Sequence, residues 1–116
     1  MRNLRHSPDL VSRWCTFSLA EQMGNIGSEV SRALKWRARN TALAQGAVER
    51  AVELIDLTLD DPRIRESAER LREICRLREV VLDFLVGTNC YGSTDASLRR
   101  YFDVFAVAAA RSRKAG

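Results

Sequence analysis

At 116 residues, with 46% hydrophobic and 29% charged side chains, the chain has the size and composition of one globular domain. Two prolines and six glycines punctuate it sparsely, which favours a few long helices over many short strands. The net charge is +4, with 17 arginines and two lysines. A GC-rich genome explains such a bias without any function, whereas the functional explanation is contact with phosphate or carboxylate groups.

The first long helix is predicted to follow a lead-in segment of residues 1–17, in which Trp14 closes one end of the core. Ser18 and Glu21 have the spacing of a capping box, so the helix is expected to begin at Ser18 and to reach about residue 39. Its core face recurs at steps of three and four residues and contains Leu19, Met23, Ile26, Val30, Ala33 and Leu34.

A stripe of small side chains lies about a quarter turn from this core face. Its members are Ala20, Gly24, Gly27 and Ser31. Because a glycine inside a helix costs about 1 kcal/mol relative to alanine, two of them so close together indicate that another backbone approaches here. Gly24 and Gly27 are therefore predicted to be interface residues, toward a helix of this chain or of another.

The second helix is predicted to begin after Asn40, a favourable N-cap, and to end at Asp60 and Asp61. Its core face contains Ala44, Ala47, Val48, Ala51, Ile55 and Leu59, and Glu49, Glu53 and Asp56 are expected on the opposite, solvent-facing side.

The third helix is predicted to begin at Asp61-Pro62 and to continue to about residue 86. Its expected core face contains Ile64, Ala68, Leu71, Cys75 and Leu82, which places Leu77, Val81 and Phe84 on the outer side. An outer apolar surface needs a cover, so these three residues are the other predicted interface residues.

Arg78 falls within the expected core face of the third helix. A buried arginine needs an acidic partner, and Glu29 lies at a matching height on the edge of the first helix's core face. We therefore predict a buried structural ion pair between Glu29 and Arg78.

The fourth helix is expected after the loop of residues 87–92, with Ser93 or Thr94 as its cap and residues 113–116 as a basic tail. Its predicted core face contains Leu98, Tyr101, Phe102, Phe105 and Ala109. Four amphipathic helices with short connections predict an all-α protein, an antiparallel up-down four-helix bundle over residues 18–112.

Catalytic and metal sites are not indicated. His6 is the one histidine in the sequence and precedes every predicted helix, and the three cysteines form no CxxC pair. We therefore expect no catalytic residue, no metal and no cofactor. The cysteine spacing favours a reduced, cytoplasmic protein. Short apolar runs and the absence of a secretory pattern after Arg2 and Arg5 predict no membrane contact.

An up-down topology brings the end of the first and third helices together with the start of the second and fourth. That end is predicted to gather six cations, which suit the backbone of nucleic acid: Arg32, Lys35, Arg37, Arg39, Arg99 and Arg100. The alternative is that they are ordinary surface and helix-terminus charges.

Four segments carry a resemblance: GNIGSEVSRALKW (24–36), ELIDLTLDDPR (53–63), REICRLREV (72–80) and YGSTDASLRRYFDVFA (91–106). Together they resemble a group of short bacterial all-helical proteins of unknown function, over residues 14–111, and this resemblance implies no site residues. In architecture the chain is also similar to the four-helix bundles that accompany retroelement reverse transcriptases, to intervening-sequence proteins, and to HEPN bundles.

The function expected from the sequence is that of a non-enzymatic helical adaptor or accessory protein. It is predicted to self-associate or to bind a partner protein, with nucleic acid as a candidate ligand of its basic end. The alternative is a HEPN-like RNase or a toxin–antitoxin component, which is disfavoured because no arginine is followed by histidine four to six residues later.

Overall fold

The computed structural model describes the chain from residue 8 to residue 115, except for the side chains at positions 8, 108–110 and 112–115. Over this span the protein is all-α, as predicted, and forms six helices and no strand. They are α1 (Pro8–Thr16), α2 (Leu19–Trp36), α3 (Thr41–Leu59), α4 (Pro62–Arg65), α5 (Ala68–Leu85) and α6 (Asp95–Ala115). The first half of the lead-in with His6, the side chain of Ala109 and residue Gly116 lie outside the described part.

Local side-chain hydrogen bonds fix the starts of α2 and α3, where the sequence predicted them. The Ser18 N–H donates to Glu21 Oε1 at 2.9 Å, and the Glu21 N–H donates to Ser18 Oγ at 3.1 Å. At the next helix, the Leu43 N–H donates to Asn40 Oδ1 at 3.1 Å. Each bond satisfies an amide that has no partner inside its helix.

The predicted third helix is two helices, α4 and α5, because Ser67 interrupts it. Ser67 adopts an extended backbone with φ −118° and ψ 109°. Its Oγ accepts a hydrogen bond from the Arg70 N–H at 3.2 Å, so it caps a new helix. A serine hydroxyl that bonds to the backbone favours such an end over continuation of the helix.

The break at Ser67 changes which face of α5 is buried. Ile74, Leu77 and Val81 are 0%, 5% and 0% exposed, whereas Cys75 is exposed. The prediction that Leu77 and Val81 form an outer apolar face is wrong, because its phase was extrapolated from Ile64, which belongs to α4. Both residues pack in the core of their own chain, and Phe84 is half-buried at its edge.

The core lies between α2 and the helices that pack on it, chiefly α3 and α6, while α5 packs on α3. α1 closes one end, where Trp14 is 3% exposed and its Nε1 donates to Thr58 Oγ1 at 3.0 Å. The most deeply buried aliphatic side chains come from α2, α3 and α5: Met23, Ile26, Val30, Ile55, Ile74 and Val81.

α6 makes its close approach to α2 at Gly27. A Cβ built on Gly27 would lie 2.6 Å from Phe102 Cβ, so this position requires glycine. At Gly24, one turn earlier, an added Cβ would meet nothing within 4 Å. Of the two glycines in the predicted stripe of small residues, Gly27 therefore contacts a neighbouring helix of the same chain, α6, and Gly24 does not.

The predicted Glu29–Arg78 pair is wrong. The Nε of Arg78 donates to Asp56 Oδ1 at 3.0 Å, and the Asp56 side chain is 8% exposed. The error arises on α3, because the face that was predicted to meet solvent at Asp56 packs against α5. Glu29 instead accepts hydrogen bonds from Arg32 and Arg50.

A second buried carboxylate, Asp61, joins α4 to the ends of α1 and α2. Arg63 Nη2 donates to Asp61 Oδ2 at 2.6 Å and to the Phe17 carbonyl at 2.7 Å. Gln22 Nε2 donates to Asp61 Oδ2 at 3.0 Å and to the Trp14 carbonyl at 2.9 Å. The hydrogen bond from Arg63 lowers the pKa of Asp61 to about 2, although burial acts in the opposite direction.

The loop between α5 and α6 is organised by Asp83. Its two carboxylate oxygens accept from the Cys90 N–H at 2.8 Å and from the Tyr91 N–H at 3.0 Å. Asn89 has a φ of 60° and hydrogen-bonds through its side chain to both backbone groups of Ser93. Thr94 then caps α6, as one of the two predicted alternatives, since its Oγ1 accepts from the Ser97 N–H at 3.0 Å.

Candidate nucleic-acid interface

The outward face of α2, flanked by α3 and α6, carries cations from all three helices. Arg32 and Lys35 lie one turn apart on α2, and both are exposed. From α6, Arg99 Nη1 lies 3.4 Å from Ser31 Oγ, which brings this arginine beside α2. From α3, Arg50 approaches α2 on the opposite side.

Glu29 organises two of these cations. Its Oε2 accepts from Arg32 Nη1 at 3.0 Å, and its Oε1 accepts from Arg50 Nε at 3.2 Å. The Glu29 side chain is 13% exposed, whereas those of Arg32 and Arg50 are 58% and 55% exposed. The shared carboxylate therefore orients both arginines. Since each guanidinium has five N–H donors, most of these donors still face solvent.

Lys35 and Arg99 contribute two further positive charges to this face. Among the side chains that the structure describes, neither has a carboxylate oxygen within 4.0 Å. Lys35 Nζ lies 5.3 Å from the centroid of the Trp36 ring, a cation–π distance. We call the four residues Arg32, Lys35, Arg50 and Arg99 the basic band.

Three of the six predicted cations lie outside this band. Arg37 is 3.9 Å from Asp95 through its Nη1, and its guanidinium carbon lies 4.7 Å from the centroid of the Phe84 ring. Arg39 is exposed in the turn after α2. Arg100 lines a shallow depression on α6 with Tyr101 and Val104. The six cations therefore do not converge on a single site.

Arg50 is the residue of the basic band that the sequence did not predict. It lies in the middle of α3, away from the helix ends on which the prediction concentrated. The available signal was its distance along α3 from the turn at residues 37–40. If α2 and α3 form a hairpin around that turn, Glu29 and Arg50 lie at similar distances from it and therefore come close together.

The chemistry of the band is that of anion recognition. Arginine donors match the oxygen pairs of a phosphate, and a lysine adds a compact positive charge. Within residues 8–115, no group of three or more histidine, cysteine, aspartate or glutamate side chains has an arrangement that could hold a metal ion. In the same part of the chain, no helix combines the length and the apolar character needed to cross a membrane.

Comparisons with known proteins add nothing to this geometry. No family model matches the chain, and neither the curated proteins nor the solved structures give a match.

Proposed function

We propose that this protein is a non-enzymatic nucleic-acid-binding module, and that the basic band binds the sugar–phosphate backbone. The observation that carries the proposal is the placement of four cations from three helices across one face, with Glu29 as the carboxylate between two of them. This arrangement retains a net positive charge and fixes the positions of its arginines.

The dimensions of the band suit a strand of phosphates. Neighbouring helices pack about 8–10 Å apart, so cations on α3, α2 and α6 cover roughly 20 Å. That length corresponds to several nucleotides at about 3.4 Å of helix rise per phosphate on one strand. Contacts of this type recognise charge and shape, so the proposed binding is independent of sequence.

The frame for this band is, in our proposal, an antiparallel up-down bundle of α2, α3, α5 and α6. Three contacts support it: the Glu29–Arg50 pair, the Gly27–Phe102 approach and the Arg78–Asp56 pair. In each pair the two residues come to the same level if their two helices run in opposite directions. We propose that the protein works in the cytoplasm, as an adaptor or accessory subunit of a nucleic-acid-handling assembly.

Fluorescence anisotropy with labelled mixed-sequence single-stranded RNA and duplex DNA in low salt tests the proposal. The variant K35A/R99A removes two cations of the band, and R70A/R72A removes two exposed arginines of α5 as a charge-matched control. We expect the first variant to bind at least tenfold more weakly and to lower the slope of log K against log salt by about 2, one for each lost phosphate contact.

Two results would refute this proposal. One is the absence of binding by the wild-type protein at about 50 mM salt, where backbone contacts are strongest. The other is an equal loss of affinity in K35A/R99A and R70A/R72A, which would mean that net charge and not the band determines binding.

A further inference from the structure

Trp36, the last residue of α2, is a large aromatic side chain that the core does not use. It is half-buried, and within the described part of the chain it belongs neither to the buried core cluster nor to the half-buried side chains that pack on it. In that same part, no second aromatic ring stacks on the indole. The other tryptophan, Trp14, is 3% exposed and donates through its Nε1 to Thr58. Packing therefore accounts for Trp14 but not for Trp36.

The indole of Trp36 adjoins the basic band. It lies one turn after Arg32 on α2, so the two side chains share a face of the helix. Lys35 precedes it directly, and the Lys35 Nζ lies 5.3 Å from the centroid of the indole ring. A face of the ring is thus turned toward this cation. The ring stands at the end of α2 beside two members of the band.

The backbone that carries this indole is held at the corner between α2 and α3. The Trp36 carbonyl accepts from the N–H groups of Arg39 and Asn40, at 2.9 and 2.8 Å. Asn40 in turn caps α3 through its side chain. A tryptophan has two side-chain torsions, so a ring on a fixed backbone loses little conformational entropy when a ligand contacts it.

We propose that Trp36 stacks on an unpaired base, so that the ligand of the basic band is single-stranded nucleic acid, an inference that rests on the function proposed above. In a duplex the faces of the bases are covered by their neighbours, and an indole beside the phosphates has no ring to stack on. A single strand presents free base faces next to its phosphates. Such stacking tolerates any sequence because every base has a π-face, in agreement with a band that contacts the backbone.

Lys35 does not close the indole to a base. Its ammonium group is exposed and sits on a flexible four-carbon stem. It is therefore free to move from the ring to a phosphate while a base takes its place on the ring. One nucleotide carries both a phosphate and a base, and the neighbouring residues Lys35 and Trp36 supply a partner for each.

A strand without bases separates stacking from phosphate contact. Fluorescence anisotropy in low salt compares labelled oligothymidylate with an abasic deoxyribose–phosphate strand of the same length and charge. We expect the wild-type protein to bind oligothymidylate at least about fivefold more tightly than the abasic strand. W36L should lose this preference while it binds the abasic strand as the wild type does, and W36F should keep most of it. Y91L is the matched control, because Tyr91 is 48% exposed with Arg76 5.9 Å from its ring, on the side of α5 and outside the band.

The possible results distinguish the stacking inference from the proposed function. Equal affinity of the wild type for the two strands would overturn stacking and leave the phosphate contacts of the band in place. Absence of binding to either strand would refute the proposed function and the inference together. A W36L variant that keeps the preference, or a Y91L variant that loses it to the same extent, would also overturn the role of Trp36.

Intrinsic fluorescence gives a second test that needs no variant. The sequence contains two tryptophans, and Trp14 is buried, so quenching by an added strand reports on Trp36. We expect saturating oligothymidylate to quench the emission and the abasic strand to change it much less. Saturation of the protein with oligothymidylate without quenching would overturn the inference.

Discussion

Gly27 lies against the side chain of Phe102, so closely that a Cβ on the glycine would be 2.6 Å from Phe102 Cβ and 2.8 Å from Cγ. Phe102 is 5% exposed and belongs to the core, so it has little room to move away. The missing side chain of Gly27 is therefore what allows α6 to seat against α2.

The first prediction compares the two glycines of the stripe of small residues. G27A should lower the free energy of unfolding by about 1–3 kcal/mol, because overpacking at Phe102 outweighs the better helix propensity of alanine. G24A should raise it by up to about 1 kcal/mol, since its Cβ meets nothing within 4 Å. Urea denaturation of both variants measures the difference, and a G27A variant at least as stable as the wild type would show that Gly27 is not a packing constraint.

How far the sequence predicts this fold depends on whether a feature is local. The capping box at Ser18 and the cap at Asn40 involve residues three apart, so their patterns predict both helix starts correctly. The burial of Leu77 depends on the break at Ser67, where a serine either continues a helix or caps the next one. The apolar spacing does not distinguish the two outcomes, and in the structure Ile64 of α4 is buried on the other side of the break, 3% exposed.

The second prediction concerns the pair of the buried Asp56 carboxylate and Arg78, whose side chain is 38% exposed. D56N should lower the free energy of unfolding by about 1.5–3 kcal/mol, because the neutral amide replaces a carboxylate that accepts a charged hydrogen bond in a buried position. The more conservative D56E keeps the charge and serves as the control for its geometry. Thermal unfolding followed by circular dichroism gives the comparison, and an unchanged midpoint in D56N would mean that the pair adds no stability.

Glu29 should behave differently, and this is the third prediction. Its two arginine partners are each more than half exposed, so solvent screens both pairs. E29Q should therefore cost less than about 1 kcal/mol. On the proposed function it should alter nucleic-acid binding, because Arg32 and Arg50 lose the group that orients them. A loss of stability as large as that of D56N would contradict this division of roles.

The basic band, like the fold, was predictable only where it depends on local sequence. Arg32 and Lys35 share a face of α2 through helical spacing alone, which the sequence reveals. Arg99 is among the predicted cations, whereas Arg50 joins the band only through the packing of α3 on α2, and its distance in sequence from Glu29 carries no local signal. Arg37 is drawn away by Phe84 and Asp95, a contact that depends on where α5 ends.

The fourth prediction is a pH dependence from Asp61. Its pKa is lowered from 3.8 to about 2 in the folded chain, chiefly by the hydrogen bond from Arg63. The unfolded chain therefore binds a proton first as the pH falls, and stability is lost between about pH 4 and pH 2. The shift corresponds to roughly 2 kcal/mol that is fully present above about pH 5.

D61N tests this assignment, because asparagine has no proton to bind in that range. At neutral pH the variant should be roughly 2 kcal/mol less stable than the wild type, and the difference should shrink below about pH 4. Urea denaturation at a series of pH values from 2 to 7 measures it. A difference that stays constant down to pH 2 would show that Asp61 acts through packing and not through its charge.

The last prediction concerns the loop that Asp83 holds. Its carboxylate accepts from the amides of Cys90 and Tyr91, at 2.8 and 3.0 Å, so both amides should exchange slowly with solvent although the residues are exposed. D83A removes the acceptor, and hydrogen exchange followed by NMR should show both amides exchanging at least tenfold faster. Y91F is the control, since it removes the bond from the Tyr91 hydroxyl to Glu79 and leaves both amide bonds intact. Equal acceleration in the two variants would assign the order of the loop to Tyr91 rather than to Asp83.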